Sequence, residues 1–514
     1  MTQDPGQSAP KLVRQLSLVD ATMIVMGSMI GSGIFITSAE TTRFVGSPGW
    51  LLVAWALAGL LTITGSACCA ELAAMMPHAG GQYVFLREAY GRPVGFLFGW
   101  ALFLVVQTGT IAAVCVAFAK FLGVLVPWVA AENYIVAPVS FGRFALSLST
   151  QQLVAVAIIL ALTITNTRGL KTGTLIQNTL TFTKTAALIG LILLGFIFGV
   201  RPSAAAWSSD WWNPWQNAWS PPADAASGLN AVASLAFLML LGRAMVGPLF
   251  SQTAWSNVTF TGGEVRDPGR TLPRALILGC SIVVGLYLLA NVAYVCTLSL
   301  REIETAREGR VATVLMEKIL GPPGATVMAA AILISTFGCA NGLVLAGARV
   351  YYAMARDGLF FSGVGTTNAR HVPAVALLAQ GAWTALLTLP RTVSTNAAGA
   401  VVYGNVYNQL LEYIVSADLA FYTLMVLAVI VMRFKARAAD RPYRTWAYPL
   451  PPLIYIALAV LLMADLVYMA PETSGIGFAL VLTGIPVYLL WRRTPAARAG
   501  AQKAGQAPRT PENP

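Results

Sequence analysis

Long apolar runs alternate along the chain with short segments that carry most of the charged residues. Five runs contain no Asp, Glu, Lys or Arg and are long enough for a helix to cross a bilayer, which takes about 20 residues: 51–70, 94–119, 275–300, 325–348 and 474–491. Seven further crossings, with polar interruptions, are predicted at 18–44, 153–166, 173–200, 228–260, 372–390, 405–432 and 447–464. The pattern predicts an all-α polytopic membrane protein with twelve transmembrane helices.

The bulk composition narrows the class of protein further. Of the 514 residues, 57% are hydrophobic and only 11% are charged, whereas a soluble domain carries about 25% charged residues. This composition excludes a large soluble domain and a single-span receptor, and it makes the lipid bilayer the predicted environment of the chain.

The net charge of +12 can be interpreted only from the positions of the cationic residues along the chain. In a soluble protein such an excess would suggest nucleic-acid binding. Here most of the 33 Lys and Arg residues fall in one alternate set of predicted loops, which includes both termini. By the positive-inside rule these loops face the cytoplasm. We therefore predict an integral protein of the cell (plasma) membrane, with both termini cytoplasmic and no nucleic-acid partner.

The first predicted span contains an unusual cluster of glycines. Gly27, Gly31 and Gly33 lie within the stretch 27–35, and each glycine inside a helix costs about 1 kcal/mol relative to alanine. The cluster predicts an unwound segment, whose free amides and following half-helix would suit a carboxylate. A close-packing patch of small residues is the alternative interpretation.

The sixth predicted span contains a second interruption. Gly247 and Pro248 are followed by the polar stretch 251–253, and proline removes a backbone hydrogen bond. Two broken helices at the first and sixth positions are typical of an inverted repeat of five plus five helices. The predicted organisation is a cytoplasmic segment 1–16, a membrane core 17–491 with repeats 17–200 and 228–434 and two last spans 447–491, and a disordered cytoplasmic tail 492–514.

Five stretches, in order along nearly the whole core, resemble one known family. They are the glycine cluster 27–35, Pro-His-Ala-Gly-Gly-Gln-Tyr at 77–83, and the stretches 264–275, 335–342 and 356–358. Together they resemble the amino acid–polyamine–organocation (APC) superfamily, in particular its L-type amino acid transporter branch. The resemblance implies a leucine-transporter-type fold and secondary active transport of amino acids by alternating access, with sodium-independent exchange as the favoured mode.

Other functions remain as alternatives. A proton-coupled amino acid symporter of the same fold is the nearest, and a transporter-like solute sensor is more distant. An enzyme is not favoured, because membrane hydrolases need a nucleophile with a base or a metal triad within the spans. The two histidines, His78 and His371, fall in predicted loops without ligands at metal spacing. No metal and no cofactor are predicted.

The resemblance also implies a binding site. Its carboxylate-binding backbone corresponds to Ser32 and Gly33, with Met29 nearby, and its ammonium-binding carbonyls correspond to Met29, Phe250 and Thr253. Phe250 corresponds to the inner gate, with a lipid-facing ring as the alternative. The chain departs from the family at Thr-Ala-Trp-Ser, 253–256, where the L-type branch has Gly-Gly before Trp-Asn. We include Ser256 in the predicted binding set.

Lys184 lies about 12 residues into the fifth span, or roughly 18 Å along a helix. A charge there costs at least ~2.5 kcal/mol unless it is paired or solvated. It resembles the family lysine that occupies the sodium position of sodium-coupled relatives, which implies sodium-independent transport. A structural lysine bonded to span-end carbonyls is the alternative, and a titrating lysine would couple to protons.

The remaining candidate functional residues are the other charged residues within the predicted spans and the cysteines. Arg243 is expected either to attract an anionic group into the outer vestibule or to pair with Glu412 or Asp418. All six cysteines fall inside apolar runs. Relatives that pair with a single-span glycoprotein use an extracellular cysteine for the link, so no disulfide-linked accessory subunit is expected.

Overall fold

The computed structural model describes residues 14–77, 80–168, 173–208, 210–214, 233–368, 370, 372–395 and 401–494. The two predicted loop histidines, His78 and His371, and most of both predicted terminal segments lie outside the described residues.

Most of the described chain is helical. The helices of the first half are α1 (Leu18–Met29), α2 (Gly33–Val45), α3 (Pro48–Met75), α4 (Gln82–Tyr90), α5 (Arg92–Ala101), α6 (Gln107–Leu125), α7 (Thr150–Thr167) and α8 (Gly173–Phe198). A π-helical turn, Leu102–Val106, joins α5 to α6, and the two form one apolar helix, Arg92–Leu125.

The second half has longer helices separated by short ones. They are α9 (Ala233–Ala244), α10 (Val246–Ser251), α11 (Asn257–Phe260), α12 (Pro268–Thr297), α13 (Leu300–Glu304), α14 (Val311–Leu320), α15 (Pro322–Arg356), α16 (Ala374–Leu387), α17 (Val406–Lys435), α18 (Leu450–Met469), α19 (Ser474–Leu482) and α20 (Gly484–Trp491). Residues 252–256 between α10 and α11 are not helical.

The lengths and hydropathy of these helices identify an integral membrane protein. Within the described ranges, nine helices are long and apolar enough to cross a membrane, or ten if α1 and α2, which meet at 41°, form one bent span. Two shorter apolar helices, Ala236–Ser251 and Ala374–Leu387, lie where the sixth and ninth spans are predicted.

A small antiparallel sheet corrects the all-α prediction. Its strands are paired in the order β1 (Tyr134–Phe141), β2 (Phe144–Ser149), β3 (Pro390–Thr395) and β4 (Val401–Tyr403). The first two form a hairpin at Gly142, whose φ of 66° suits a residue without a Cβ. The strands lie between apolar runs and are rich in β-branched and aromatic residues, a local signal that a search for membrane helices does not detect.

The helices around α1 position the functional site. Ser17 caps α1 through a reciprocal pair of hydrogen bonds with Asp20, which fixes where the helix begins. The helix then packs against α8, α12 and α15. Trp55 of α3 and Tyr287 of α12 meet edge to face at 5.7 Å in the buried core behind the break. The end of α1 is therefore held on several sides.

Candidate functional site

The first interrupted helix breaks at residues 30–32. Helix α1 ends at Met29 and α2 begins at Gly33, and the backbone of Ile30 has a non-helical ψ of 87°. Gly31 lies within the break. Gly27 lies inside α1 and Gly33 is the first residue of α2, so the prediction that these two glycines are unwound is wrong. The non-helical segment is shorter than the glycine cluster, because most of these glycines allow neighbouring helices to pack closely. A Cβ at Gly27 would lie 2.5 Å from Thr181 Oγ1 of α8.

Side chains of other helices satisfy the carbonyls at the end of α1. The last carbonyls of a helix have no partner within it, and in a membrane interior water does not replace that partner. Four consecutive carbonyls each accept one bond from a side chain of another helix. The donor–acceptor distances are 2.5 Å from Lys184 Nζ to Gly27, 3.5 Å from Cys339 Sγ to Ser28, 2.9 Å from Tyr287 OH to Met29 and 3.4 Å from Ser335 Oγ to Ile30. The break is thus tied to α8, α12 and α15.

The second interruption lies further along the chain than predicted. Gly247 and Pro248 are helical residues of α10, and the non-helical segment is 252–256. Pro248 is tolerated because it is in the first turn of α10, where an amide donor has no intrahelical acceptor. Ala254 adopts a φ of 66°, a conformation that is uncommon for a residue with a Cβ. The prediction that Gly247 and Pro248 are unwound is therefore corrected.

The two breaks face the same cavity. Its lining comes from both breaks, from α6 and from α15, and consists of Ser28, Met29, Gly31, Ser32, Gly33, Thr110, Val114, Phe250, Ser251, Thr253, Ala254 and Cys339. The predicted site residues Met29, Ser32, Gly33, Phe250 and Thr253 are all in this set. Ser256 is not in it. Its hydroxyl lies 3.1 Å from Tyr422 OH and 3.4 Å from Gln82 Oε1.

Opposite helix ends give the cavity two electrostatic poles. The first amides of α2, beginning at Gly33, have no acceptor within that helix and carry its positive end. The last carbonyls of α10 carry the opposite partial charge. The Phe250 carbonyl already accepts from Thr253 N at 3.2 Å and from Thr253 Oγ1 at 2.8 Å. The Met29 carbonyl likewise accepts from Tyr287 OH and, at 2.8 Å, from Gly31 N.

Phe250 faces the protein interior, which excludes the lipid-facing alternative. The residue is only 6% exposed, and its ring meets Tyr407 of α17 edge to face at 6.1 Å. The Tyr407 hydroxyl in turn lies 3.1 Å from Ser32 Oγ. The sequence does not predict Tyr407 as a site residue, because one tyrosine in an apolar span gives no signal of its own. The same applies to Thr110 and Val114.

The intramembrane cations have defined partners. Lys184 is 1% exposed and donates to Gly27, as described above. Arg243 lies 3.4 Å from Glu412, and Thr473 also donates to that carboxylate. The pairing alternative for Arg243 is therefore correct, with Glu412 rather than Asp418. In the part of the chain that the structure covers, no three His, Cys, Asp or Glu side chains are arranged to hold a metal ion.

A second cavity continues from the first toward the loop that follows α11. Ser28 lines both cavities. The lining of the second cavity includes the polar side chains of Gln177, Asn178, Asn257 and Asn341. An ion pair at 3.4 Å, Arg349 with Glu264, also lies along it. Polar side chains therefore lie beside the site at Ser28.

Comparison with known proteins agrees with this architecture. The sequence model of a family described as "Amino acid permease" matches residues 16–491. The chain is 29% identical over 494 residues to the mouse "Large neutral amino acids transporter small subunit 2", an alignment that covers 95% of this chain and 84% of the relative.

Two other relatives are similarly distant. The human "Asc-type amino acid transporter 1" is 28% identical over 503 residues, covering 96% of this chain and 85% of the relative. The "Serine/threonine exchanger SteT" of Bacillus subtilis (strain 168) is 27% identical over 490 residues, covering 95% and 98%. Since the family match spans nearly the whole membrane core, the chain belongs to the amino acid permease family of the APC superfamily and is a membrane transporter rather than an enzyme.

Proposed function

We propose that the protein exchanges amino acids across the plasma membrane by alternating access and without sodium. The observation that carries this proposal is the cavity that both broken helices line, with a positive helix end at Gly33 and a negative one at Phe250. These two poles suit the carboxylate and ammonium groups that all free amino acids share.

The substrate carboxylate is assigned to the backbone of Ser32 and Gly33 at the start of α2, where helix amides are free to bind an anion. The ammonium is assigned first to the carbonyl of Thr253, which accepts no hydrogen bond from any described residue. Binding by Met29 or Phe250 would require displacement of a bond, because each carbonyl already accepts two.

Phe250 is proposed as the gate of this site. The buried residue lines the cavity and its ring meets Tyr407 edge to face, so rotation of the ring would open the cavity on that side. The polar cavity that shares Ser28 supplies the second route. Alternate opening of the two routes would carry substrate across the membrane by alternating access.

Lys184 is proposed to replace a sodium ion. Its ammonium holds the Gly27 carbonyl at the end of α1, as a bound cation would. A permanent cation at this position would remove the need for a sodium gradient. The proton-coupled symporter remains the alternative, and it predicts uptake that depends on a pH gradient.

The proposal also includes the transmembrane topology. We assign twelve crossings, with repeats 17–200 and 228–434, two final spans within 447–491, and cytoplasmic termini. We also propose that no disulfide-linked accessory subunit is required. This is supported by the position of all six cysteines within the helices α3, α6, α12 and α15.

Counterflow in proteoliposomes tests the proposal. Vesicles loaded with one unlabelled amino acid at a time would take up the labelled compound in sodium-free buffer at matched internal and external pH. We expect uptake that requires internal amino acid. An absolute requirement for sodium, or accumulation driven by a pH gradient into unloaded vesicles, would contradict the exchange mechanism.

A further inference from the structure

Asp418, near the middle of α17, is a buried carboxylate that the proposed mechanism does not use. It is 6% exposed, and among the described residues it makes no hydrogen bond and no ion pair. Arg243, the cation that the sequence offers as a partner for Glu412 or Asp418, pairs with Glu412. A charged side chain in a membrane interior is costly without a partner, and such residues commonly mark a substrate or ion pathway.

Asp418 lines a cavity that adjoins the proposed site. Thr253 lines both this cavity and the central one between the two breaks. The cavity therefore lies where the side chain of an amino acid would extend, if its ammonium were held at Thr253. Gly33 lines the central cavity but not the Asp418 cavity, so residues of the Asp418 cavity would contact the substrate's side chain rather than its carboxylate.

A second unpartnered acceptor lines the same cavity. Gln252 is 1% exposed, and its Nε2 donates to the Trp55 carbonyl at 3.3 Å. Its Oε1 is buried and has no hydrogen-bond partner within the part of the chain that the structure describes. A buried acceptor without a donor is unfavourable, and here two such acceptors, Asp418 and Gln252, belong to one cavity. A ligand that fits must supply hydrogen-bond donors to both.

The other walls suit an amphipathic cation. Aliphatic side chains line part of the cavity, namely Leu61, Leu249, Val415 and Leu419, and they would pack against a hydrocarbon stem. Trp255 and Tyr422, stacked at 4.7 Å, line another part. Aromatic faces attract ammonium and guanidinium groups. The combination of a carboxylate, an orphan amide oxygen, aromatic rings and aliphatic walls matches the end of a cationic side chain.

We propose that Asp418 and Gln252 form a side-chain subsite that binds the ammonium or guanidinium group of a cationic amino acid, so that this transporter carries such amino acids in preference to neutral ones of the same shape. The inference rests on the proposed function and specifies its substrate class. A neutral side chain would leave the Asp418 carboxylate without a countercharge, which disfavours its binding.

Two pairs of nearly isosteric substrates test the subsite directly. Counterflow would be measured with arginine against citrulline, and with lysine against norleucine, because each pair differs mainly in charge. In the native protein we expect half-saturation at concentrations lower by about tenfold or more for the cationic member, as for other buried charge pairs. Asp418→Asn is expected to abolish this preference while citrulline uptake persists.

Asp465→Asn is the matched control, because the carboxylate oxygens of Asp465 are also buried but the residue does not line this cavity. It should keep the preference for arginine. If Asp418→Asn does not fold, two tests remain. Asp418→Glu should retain the preference for cationic substrates, with an altered ratio of arginine transport to lysine transport. The comparison of the two substrate pairs in the native protein does not depend on any variant.

The possible failures can be distinguished. Equal transport of arginine and citrulline by the native protein would overturn the subsite and leave the exchange mechanism intact. A loss of pH dependence in Asp418→Asn with the arginine preference unchanged would assign the carboxylate to a proton and also overturn it. Counterflow of no amino acid at all would instead contradict the proposed function.

Discussion

Lys184 Nζ lies 2.5 Å from the carbonyl oxygen of Gly27 and joins α8 to the last turn of α1. The pairing is favourable because the carbonyl end of a helix carries a partial negative charge. Neither group has access to bulk water, since Lys184 is 1% exposed and Gly27 is buried. The conformation of the first break therefore depends on a cation that is part of the protein.

Replacement of this cation should inactivate transport. In Lys184→Met the Gly27 carbonyl would lose its donor, and an unsatisfied buried acceptor costs about 1–3 kcal/mol. We expect sodium-free counterflow to fall by about tenfold or more, since 1.4 kcal/mol corresponds to a factor of ten. Lys318→Met is the control. Lys318 is on α14, outside the long apolar helices, and it pairs with Glu302 at 2.6 Å. Equal activity of the two variants would contradict this role for Lys184.

Gly33 should not tolerate a side chain. A Cβ at this position would lie 2.9 Å from the Cα of Ser251 and closer still to its side chain, so α2 and α10 would have to separate. We expect Gly33→Ala to lose uptake and to lower the melting temperature in detergent, because overpacking costs about 1–3 kcal/mol. At Gly190 an added Cβ meets nothing within 4 Å, so Gly190→Ala should behave like the native protein. Native-like uptake by Gly33→Ala would show that the helices do not need this contact.

The sequence could predict that two helices break, but it located only the first break well. Glycines disfavour a helix wherever they cluster, so Gly31 and Gly33 are a local signal. Residues 252–256 contain no glycine, and the positive φ of Ala254 is held by packing, including the stacking of Trp255 on Tyr422. Such packing depends on contacts between distant parts of the chain and has no local pattern.

The same limit applies to the partners of the site residues. Ser32 and Tyr407 are 375 residues apart in sequence, and the sequence alone did not choose between Glu412 and Asp418 as the partner of Arg243. These two acidic residues are on the same helix, and only the three-dimensional packing distinguishes them. The hydrophobic pattern, by contrast, located the membrane helices because it reflects the bilayer rather than any particular contact.

Removal of the Phe250 ring should uncouple exchange. Without the ring the cavity would stay open toward Tyr407, and substrate would leave without a replacement. We expect Phe250→Ala to raise efflux from loaded vesicles into buffer without amino acid, while trans-stimulation is lost. Phe182→Ala serves as the control, since that phenylalanine is 68% exposed on α8. A variant of Phe250 that keeps strict exchange would argue against its function as a gate.

The ion pair between α3 and α17 should contribute to stability. Glu71 is 1% exposed and accepts from Arg433 at 2.7 Å, with Arg441 at 3.6 Å. Glu71→Gln leaves these cations without a countercharge, and breaking a buried pair costs about 3–5 kcal/mol. Part of this cost is expected here, because Arg433 is partly exposed. The melting temperature in detergent should fall clearly.

The exposed pair of Arg143 and Glu472 provides the comparison for Glu71. Exposed ion pairs contribute only about 0–1 kcal/mol, so Glu472→Gln should change the melting temperature little. If both substitutions lowered the melting temperature equally, burial would not be the source of the contribution from Glu71.

The exchange mechanism itself is tested most directly by efflux of a labelled amino acid from proteoliposomes in sodium-free buffer, measured with and without unlabelled amino acid outside. The mechanism predicts that label leaves only when amino acid is present outside, and that each labelled molecule that leaves is replaced by one that enters. Efflux at the same rate into buffer without amino acid, or efflux that begins only when sodium is added, would contradict it.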